Sequence, residues 1–167
     1  MVEYLAHFFG GRFFKNEVSV NEGKSIMLNK YLTGDPEDLI EVYFLEMTLS
    51  SWASLFKWLD GRVILLDCQH GRIPINELSY EKFISDELSY IAHIKSTNQF
   101  EISLSIIEKD ELTIDISISE IISKENSEEF MSAVSEIATV IGSKNYRVCP
   151  EFDKKNAFYI NGKFVSV

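Results

Sequence analysis

Two stretches decide how the chain reads: Phe100-Glu101-Ile102-Ser103-Leu104-Ser105-Ile106 and Leu112-Thr113-Ile114-Asp115-Ile116-Ser117-Ile118-Ser119. Each sets apolar side chains at even positions and polar ones at odd positions. A period of two belongs to a strand with one face buried. The two therefore predict a pair of antiparallel strands whose even-numbered residues face a core. Directly opposed residues share a face, so two even-numbered apolar sets require an odd-length turn. Lys109-Asp110-Glu111 supplies one, and a bulge at Ile106-Ile107 is the alternative.

Working outward, the chain alternates strand and helix signals. Downstream, Asn126 and Glu129 have the spacing of a helix cap and its reciprocal contact. Phe130, Met131, Val134, Ile137, Ala138 and Ile141 then make one apolar stripe, which Gly142 ends, so a helix is expected over 127–142. Phe158-Tyr159-Ile160-Asn161-Gly162-Lys163-Phe164-Val165 reads as a hairpin, because Asn-Gly accepts positive φ at both turn positions. Upstream, Leu39 to Leu49 is dense in β-favouring residues and reads as a buried strand, with one long helix from Pro36 as the alternative. Trp52, Leu55, Phe56 and Leu59 fall on one helical stripe, capped by Ser50 or Ser51 and ended by Gly61. Arg62 to Cys68 returns to strand. A short helix near 79–86 followed by a strand containing Tyr90 to Ile94 is the favoured reading of 79–95, with one helix through the stretch as the alternative. Nearer the start, Phe8-Phe9-Gly10-Gly11-Arg12-Phe13-Phe14 suits a hairpin turn, and residues 17–28 read as strand, turn, strand.

These signals predict a single α+β domain over residues 1–167, with a mainly antiparallel sheet packed by two or three helices. The expected core contains Trp52, Leu55, Phe56, Ile64, Leu66, Ile102, Leu104, Ile114, Ile116, Val134, Ile137 and Ile141. The composition is 46% apolar and 25% charged over 167 residues, which excludes general disorder. No apolar run reaches the roughly 18 residues of a membrane helix, and the start lacks the pattern of a secretory leader. A cytoplasmic protein with no membrane partner is expected. Two cysteines read as buried small hydrophobes in a reducing compartment, with a Cys68–Cys149 disulfide as the less favoured reading.

Chemistry-bearing motifs are sparse. Gly23-Lys24-Ser25 imitates the end of a phosphate-binding loop, but Val18 stands where the first glycine is needed. It reads as turn chemistry. Asp67, Cys68 and His70 form the one local cluster of nucleophilic or metal-competent groups. Cys68 and His70 are two apart, so on a strand they would share a face. No oriented base or further ligand is evident beside them, and the cluster reads as a strand end. No catalytic residue, metal or cofactor is expected.

Charge is the stronger signal. The net charge is −10, which argues against a phosphate-tracking nucleic-acid binder. Residues 31–142 hold 7 basic and 21 acidic side chains, so the negative charge lies wholly in the middle of the chain. One acidic block runs through Asp35, Glu37, Asp38, Glu41 and Glu46. A second comprises Glu108, Asp110, Glu111, Asp115 and Glu120, beside the hydroxyls of Ser103, Ser105, Thr113, Ser117 and Ser119. Carboxylates of this density usually form a solvated face. They also complement a cationic protein and steer its approach.

In its small size, acidity, aromatic-rich strands and the blocks Asp35–Glu46 and Glu108–Glu120, the chain resembles the bacterial immunity proteins of contact-dependent inhibition and polymorphic-toxin systems. The resemblance implies a non-enzymatic cytoplasmic protein that blocks a basic toxin, such as a nuclease, one to one. The expected partner-binding residues are Asp35, Glu37, Asp38, Glu41, Glu108, Asp110, Glu111, Asp115 and Glu120. Tyr159 or Phe164 would serve as aromatic anchors if their hairpin face is open. Two alternatives remain: a ligand-binding or adaptor domain with an apolar pocket, and a small enzyme built on Asp67, Cys68 and His70.

Overall fold

The computed structural model describes residue 28, residues 31–32 and residues 35–165. Strand β1 (Leu39–Leu45) leads to helix α1 (Leu49–Leu59), then β2 (Val63–Cys68), β3 (Gly71–Ile73) and the short helix α2 (Tyr80–Ile84). A meander of β4 (Tyr90–Lys95), β5 (Glu101–Ile106) and β6 (Glu111–Ser117) follows. Helix α3 (Lys124–Val140), β7 (Tyr146–Pro150), β8 (Tyr159–Ile160) and β9 (Lys163–Phe164) complete the described elements. The nine described strands form one antiparallel sheet in the order β3-β2-β4-β5-β6-β1-β7-β8-β9. This is the α+β architecture the periodicities predict.

The alternation of β5 and β6 survives intact. Ser103 pairs with Asp115, Leu104 with Ile114 and Ser105 with Thr113. Even-numbered residues of β4, β5, β6 and β1 face the helices, and Ala92, Leu104, Ile114 and Val42 are fully or almost fully buried. Trp52, Leu55 and Leu59 of α1 close that core with Phe130, Met131, Val134 and Ile137 of α3. β1 is buried on both faces: its even-numbered residues lie in the core under the helices, and the segment after β7 covers its odd-numbered side, where the Phe152 amide reaches Glu41 and Lys154 lies over Tyr43. Double coverage explains its nearly unbroken apolar run, and a strand stands where one long helix was the alternative.

Local chemistry accounts for the remaining differences. The odd-length turn is real but centred on Lys109, since the register carried on from Ser105↔Thr113 sets residue 107 opposite residue 111. Glu111 therefore belongs to β6. The turn is clamped to the helices: Trp52 Nε1 donates to the Lys109 carbonyl (2.7 Å), and the Lys109 ammonium lies 3.6 Å from the Phe83 ring centre. Helix α3 begins earlier than expected. Its cap is Ser123, whose Oγ accepts from the Asn126 amide at 3.1 Å, while Asn126 Nδ2 donates to the Glu120 carbonyl. Thr48 likewise caps α1 in place of Ser50 or Ser51. Ile64, expected in the core, is 46% exposed, because a register shift between Val63 and Leu65 breaks the alternation of β2.

At the carboxyl end, Asn161 (φ 48°) and Gly162 (φ 88°) make the expected turn, with Tyr159 opposite Phe164. Phe158 and Tyr159 are both buried in the main core. Tyr31 stacks on Phe158 at 4.6 Å between ring centres. The readings over 8–14 and Gly23-Lys24-Ser25 lie outside the described residues. Within the strand, turn, strand reading over 17–28, only Leu28 is described; it has helical backbone and is fully buried.

Candidate partner-binding face

The odd-numbered residues of the same strands define a second sheet face, which the three described helices leave open. Cross-strand register arranges it in ranks. One rank runs Cys149, Glu41, Asp115, Ser103, His93, Leu65. The next runs Arg147, Tyr43, Thr113, Ser105, Ile91, Asp67. A shallow groove of ≈ 530 Å³ lies along this face, lined by Leu39, Ile91, Glu101, Ser103, Ser105 and Asp115, with Glu120 at its end. Carboxylate and hydroxyl side chains alternate there with the apolar Leu39, Ile91 and Ile116.

Glu41 and Asp115 are directly opposed across β1 and β6. Glu41 is 6% exposed, and its Oε2 accepts from the Tyr43 hydroxyl and from the Phe152 amide (2.7 Å). Asp115 has weaker support, a 3.4 Å hydrogen bond from Ser105 Oγ. Burial, and then the charge of Glu41, push the Asp115 carboxyl up to about 6. Burial and the same glutamate raise the Tyr43 phenol. Two carboxylates side by side on a half-buried face are costly to keep charged. An incoming cation would offset that cost.

Farther along the groove, His93 Nδ1 lies 2.7 Å from Glu101 Oε1 and 3.1 Å from Ser103 Oγ, and His93 Nε2 lies 3.7 Å from Asp67 Oδ2. Serine, histidine and carboxylate meet here, but Ser103 sits mid-strand with β5 paired on both sides. Its neighbouring amides are committed to the ladder, so no oxyanion cradle forms beside it.

The sequence-predicted residues divide three ways. Asp35, Glu37 and Asp38 form the turn before β1, where the Asp35 and Asp38 carboxylates accept backbone amides (Glu37 at 3.0 Å and Asp35 at 2.8 Å). That turn is tied to the end of β6: Ser117 Oγ and the Ser119 amide both donate to the Pro36 carbonyl. Parts of the two acidic blocks, far apart in sequence, thus meet near Glu120. Asp115 lies half-buried in the groove, whereas Glu41 beside it is covered by the segment after β7 and offers no surface to a partner. Glu108, Asp110 and Glu111 lie at the opposite strand end, where Lys154 holds Glu111 at 2.7 Å. Each acidic block is split, because a strand of seven residues spans roughly 20 Å.

The anchors and the cysteine cluster need correction. Tyr159 is fully buried and Phe164 half-buried, so the hairpin presents no open aromatic face. Asp67 and Cys68 point to opposite sides of β2, and His70 is exposed in the following turn, its amide donating to Cys68 Sγ at 3.4 Å. Cys68 and Cys149 are free, and their strands are five inter-strand steps apart, roughly 24 Å, far beyond disulfide reach. Burial pushes the Cys149 thiol up to about 11. Among the described residues, no three histidine, cysteine or carboxylate side chains are grouped to hold a metal. No described helix is long and apolar enough to cross a membrane. Sequence reasoning singled out nothing at Phe152, an aromatic between Glu151 and Asp153 that belongs to no periodic pattern and stands exposed in the structure.

Comparison with solved structures yields a clear likeness. One chain of the 1.75 Å crystal structure of the toxic C-terminal tip of CdiA from Pseudomonas aeruginosa, in complex with immune protein, superposes with a TM-score of 0.55. The fold is one found in a toxin–immunity complex. The match covers 78% of this chain and 98% of the other at 14% identity, so it bears on the fold and not on individual residues. No family model matches the sequence, and no curated protein matches it.

Proposed function

We propose that the chain is an immunity protein, which neutralises a CdiA-type toxic tip by binding it one to one in the cytoplasm. The likeness in fold to a chain of a toxin–immunity complex carries this reading. The open sheet face supports it chemically. A groove walled by Glu101, Asp115 and Glu120 over hydroxyls suits a cationic protein surface, such as the nucleic-acid-binding cleft of a nuclease toxin. Neutralisation then needs occlusion and no chemical step, and no residue of this chain acts as a catalyst.

The test is co-expression with the toxic tip of any CdiA-type reading frame found next to the gene of this chain. Growth should be rescued, and the purified proteins should form a one-to-one complex. Cys68→Ala together with His70→Ala should rescue equally well, since the two side chains do not converge on a site. A chain that is itself toxic when expressed alone, or rescue lost in that double variant with its fold intact, would overturn the reading.

A further inference from the structure

Among the described large apolar residues, Phe152 is the most exposed, at 85%. It also has φ of 57°, a left-handed backbone that suits glycine or asparagine far better than a bulky side chain. Contacts on both sides fix it there. Its amide donates to the buried Glu41 carboxylate at 2.7 Å. The Glu151 amide donates to the Leu39 carbonyl at 3.0 Å, and the Asp153 amide donates to the Pro150 carbonyl at 3.1 Å. Beyond it, Lys154 lies 4.1 Å from the Tyr43 ring centre and is held by Glu111. An exposed phenyl ring on a strained backbone contributes nothing to this fold. Glycine would satisfy every one of these backbone contacts at lower cost.

The position of the ring gives it a use. Glu41, which holds the Phe152 amide, stands directly beside Asp115 of the groove, so the backbone that carries the exposed ring and the Asp115 carboxylate both adjoin the same side chain. Asp115 has a serine hydroxyl rather than a cation as its partner. We infer that Phe152 is the aromatic anchor of the partner interface, entering an apolar pocket on a cationic protein whose lysines or arginines meet the Asp115 side of the groove. The inference rests on the binding reading above and adds where the energy of the complex is concentrated. Rigid aromatic anchors dominate interfaces because they bury much area while little conformational freedom is left to lose. Here Glu41 and the flanking turns have already removed that freedom.

The experiment measures binding of the full chain to the toxic tip that it rescues against in co-expression, with Phe152→Ala, Phe152→Gly and Phe152→Trp, alongside thermal melting of each free variant. Alanine and glycine should raise Kd by about 30-fold or more, through faster dissociation. Phe152→Trp should stay within about threefold of the parent. Phe152→Gly should melt at the parent temperature or above it, because glycine relaxes the positive φ; affinity lost without stability lost identifies an anchor. Parent-like binding by the alanine and glycine variants would overturn the inference and leave the immunity reading standing. Melting temperatures lowered in both would make Phe152 a structural residue and overturn it too. A parent chain that fails to bind the tip would remove both together.

Discussion

Asp115 shows how one side chain can cost the fold something and still suit its surface. Its carboxyl is pushed up to about 6 by burial and by Glu41, against an ordinary value near 4. A pKa higher in the folded state means that the fold binds the proton more tightly than the unfolded chain does. The resulting stabilisation is complete below about pH 4 and is lost as pH rises through about 6. At neutral pH the charged Asp115 is therefore a burden, about 1 kcal/mol once its partial exposure and solvent screening are allowed for. Asp115→Asn should stabilise the free protein by about that amount in urea unfolding at pH 7.5. Its advantage should shrink away by pH 4. A difference independent of pH would show that the Glu41–Asp115 pair is not electrostatically strained. The odd-numbered position of Asp115 is plain in the sequence; its neighbour Glu41, 74 residues earlier, is visible only through the register of β1 on β6.

Among the elements, α3 and the β5–β6 pair were the most legible. Their period of 3.6 or 2 runs for several repeats without interruption, so each face is over-determined by many side chains. Ile137 on α3 is 1% exposed and packs into the core that α1 closes. Ile137→Asp should abolish cooperative thermal melting, because an unpaired buried charge costs several kcal/mol against a total stability of roughly 5–15. Retained cooperative melting would mean that this face of α3 does not seal the core. Boundaries were less legible than faces. Ser123 and Thr48 win the caps over Asn126 and Ser50 because each is the residue whose backbone is still extended as the helix begins. Competing serines, threonines and asparagines within three residues look alike in sequence. β2 misled for another reason: a bulge costs one residue of alternation, and it moved Ile64 out of the core position that Val63 to Leu66 had implied.

Across the whole molecule, charge layout yields the remaining expectation. If a cationic partner docks on the open face, association with the toxic tip should slow as salt rises, since the screening length falls to about 8 Å at physiological ionic strength. Charge reversal at Asp115 with Glu101 should reduce the association rate severalfold more than reversal at Glu108 with Asp110, which lie at the far strand end. Equal sensitivity of the two pairs in stopped-flow kinetics would remove the open face as the docking surface.

The chain's residues, taken in order, settled what repeats locally: two strand periods, two helical stripes, an Asn-Gly turn, and an excess of acid confined to the middle. Such features depend on neighbours a few positions away, so linear spacing is enough to find them. Tertiary structure alone decided which features meet. β1 is first among the described strands, yet it inserts between β6 and β7. That one pairing buries Glu41, sets it against Asp115, and brings the loop after β7 over it with Phe152 outermost. It also scattered each acidic block along the strands while joining Asp35–Asp38 to the turn at Ser117. Strand pairing over a long separation is governed by the combined fit of two faces and a register. No short window of sequence contains both partners, and the candidate interface came from that fit.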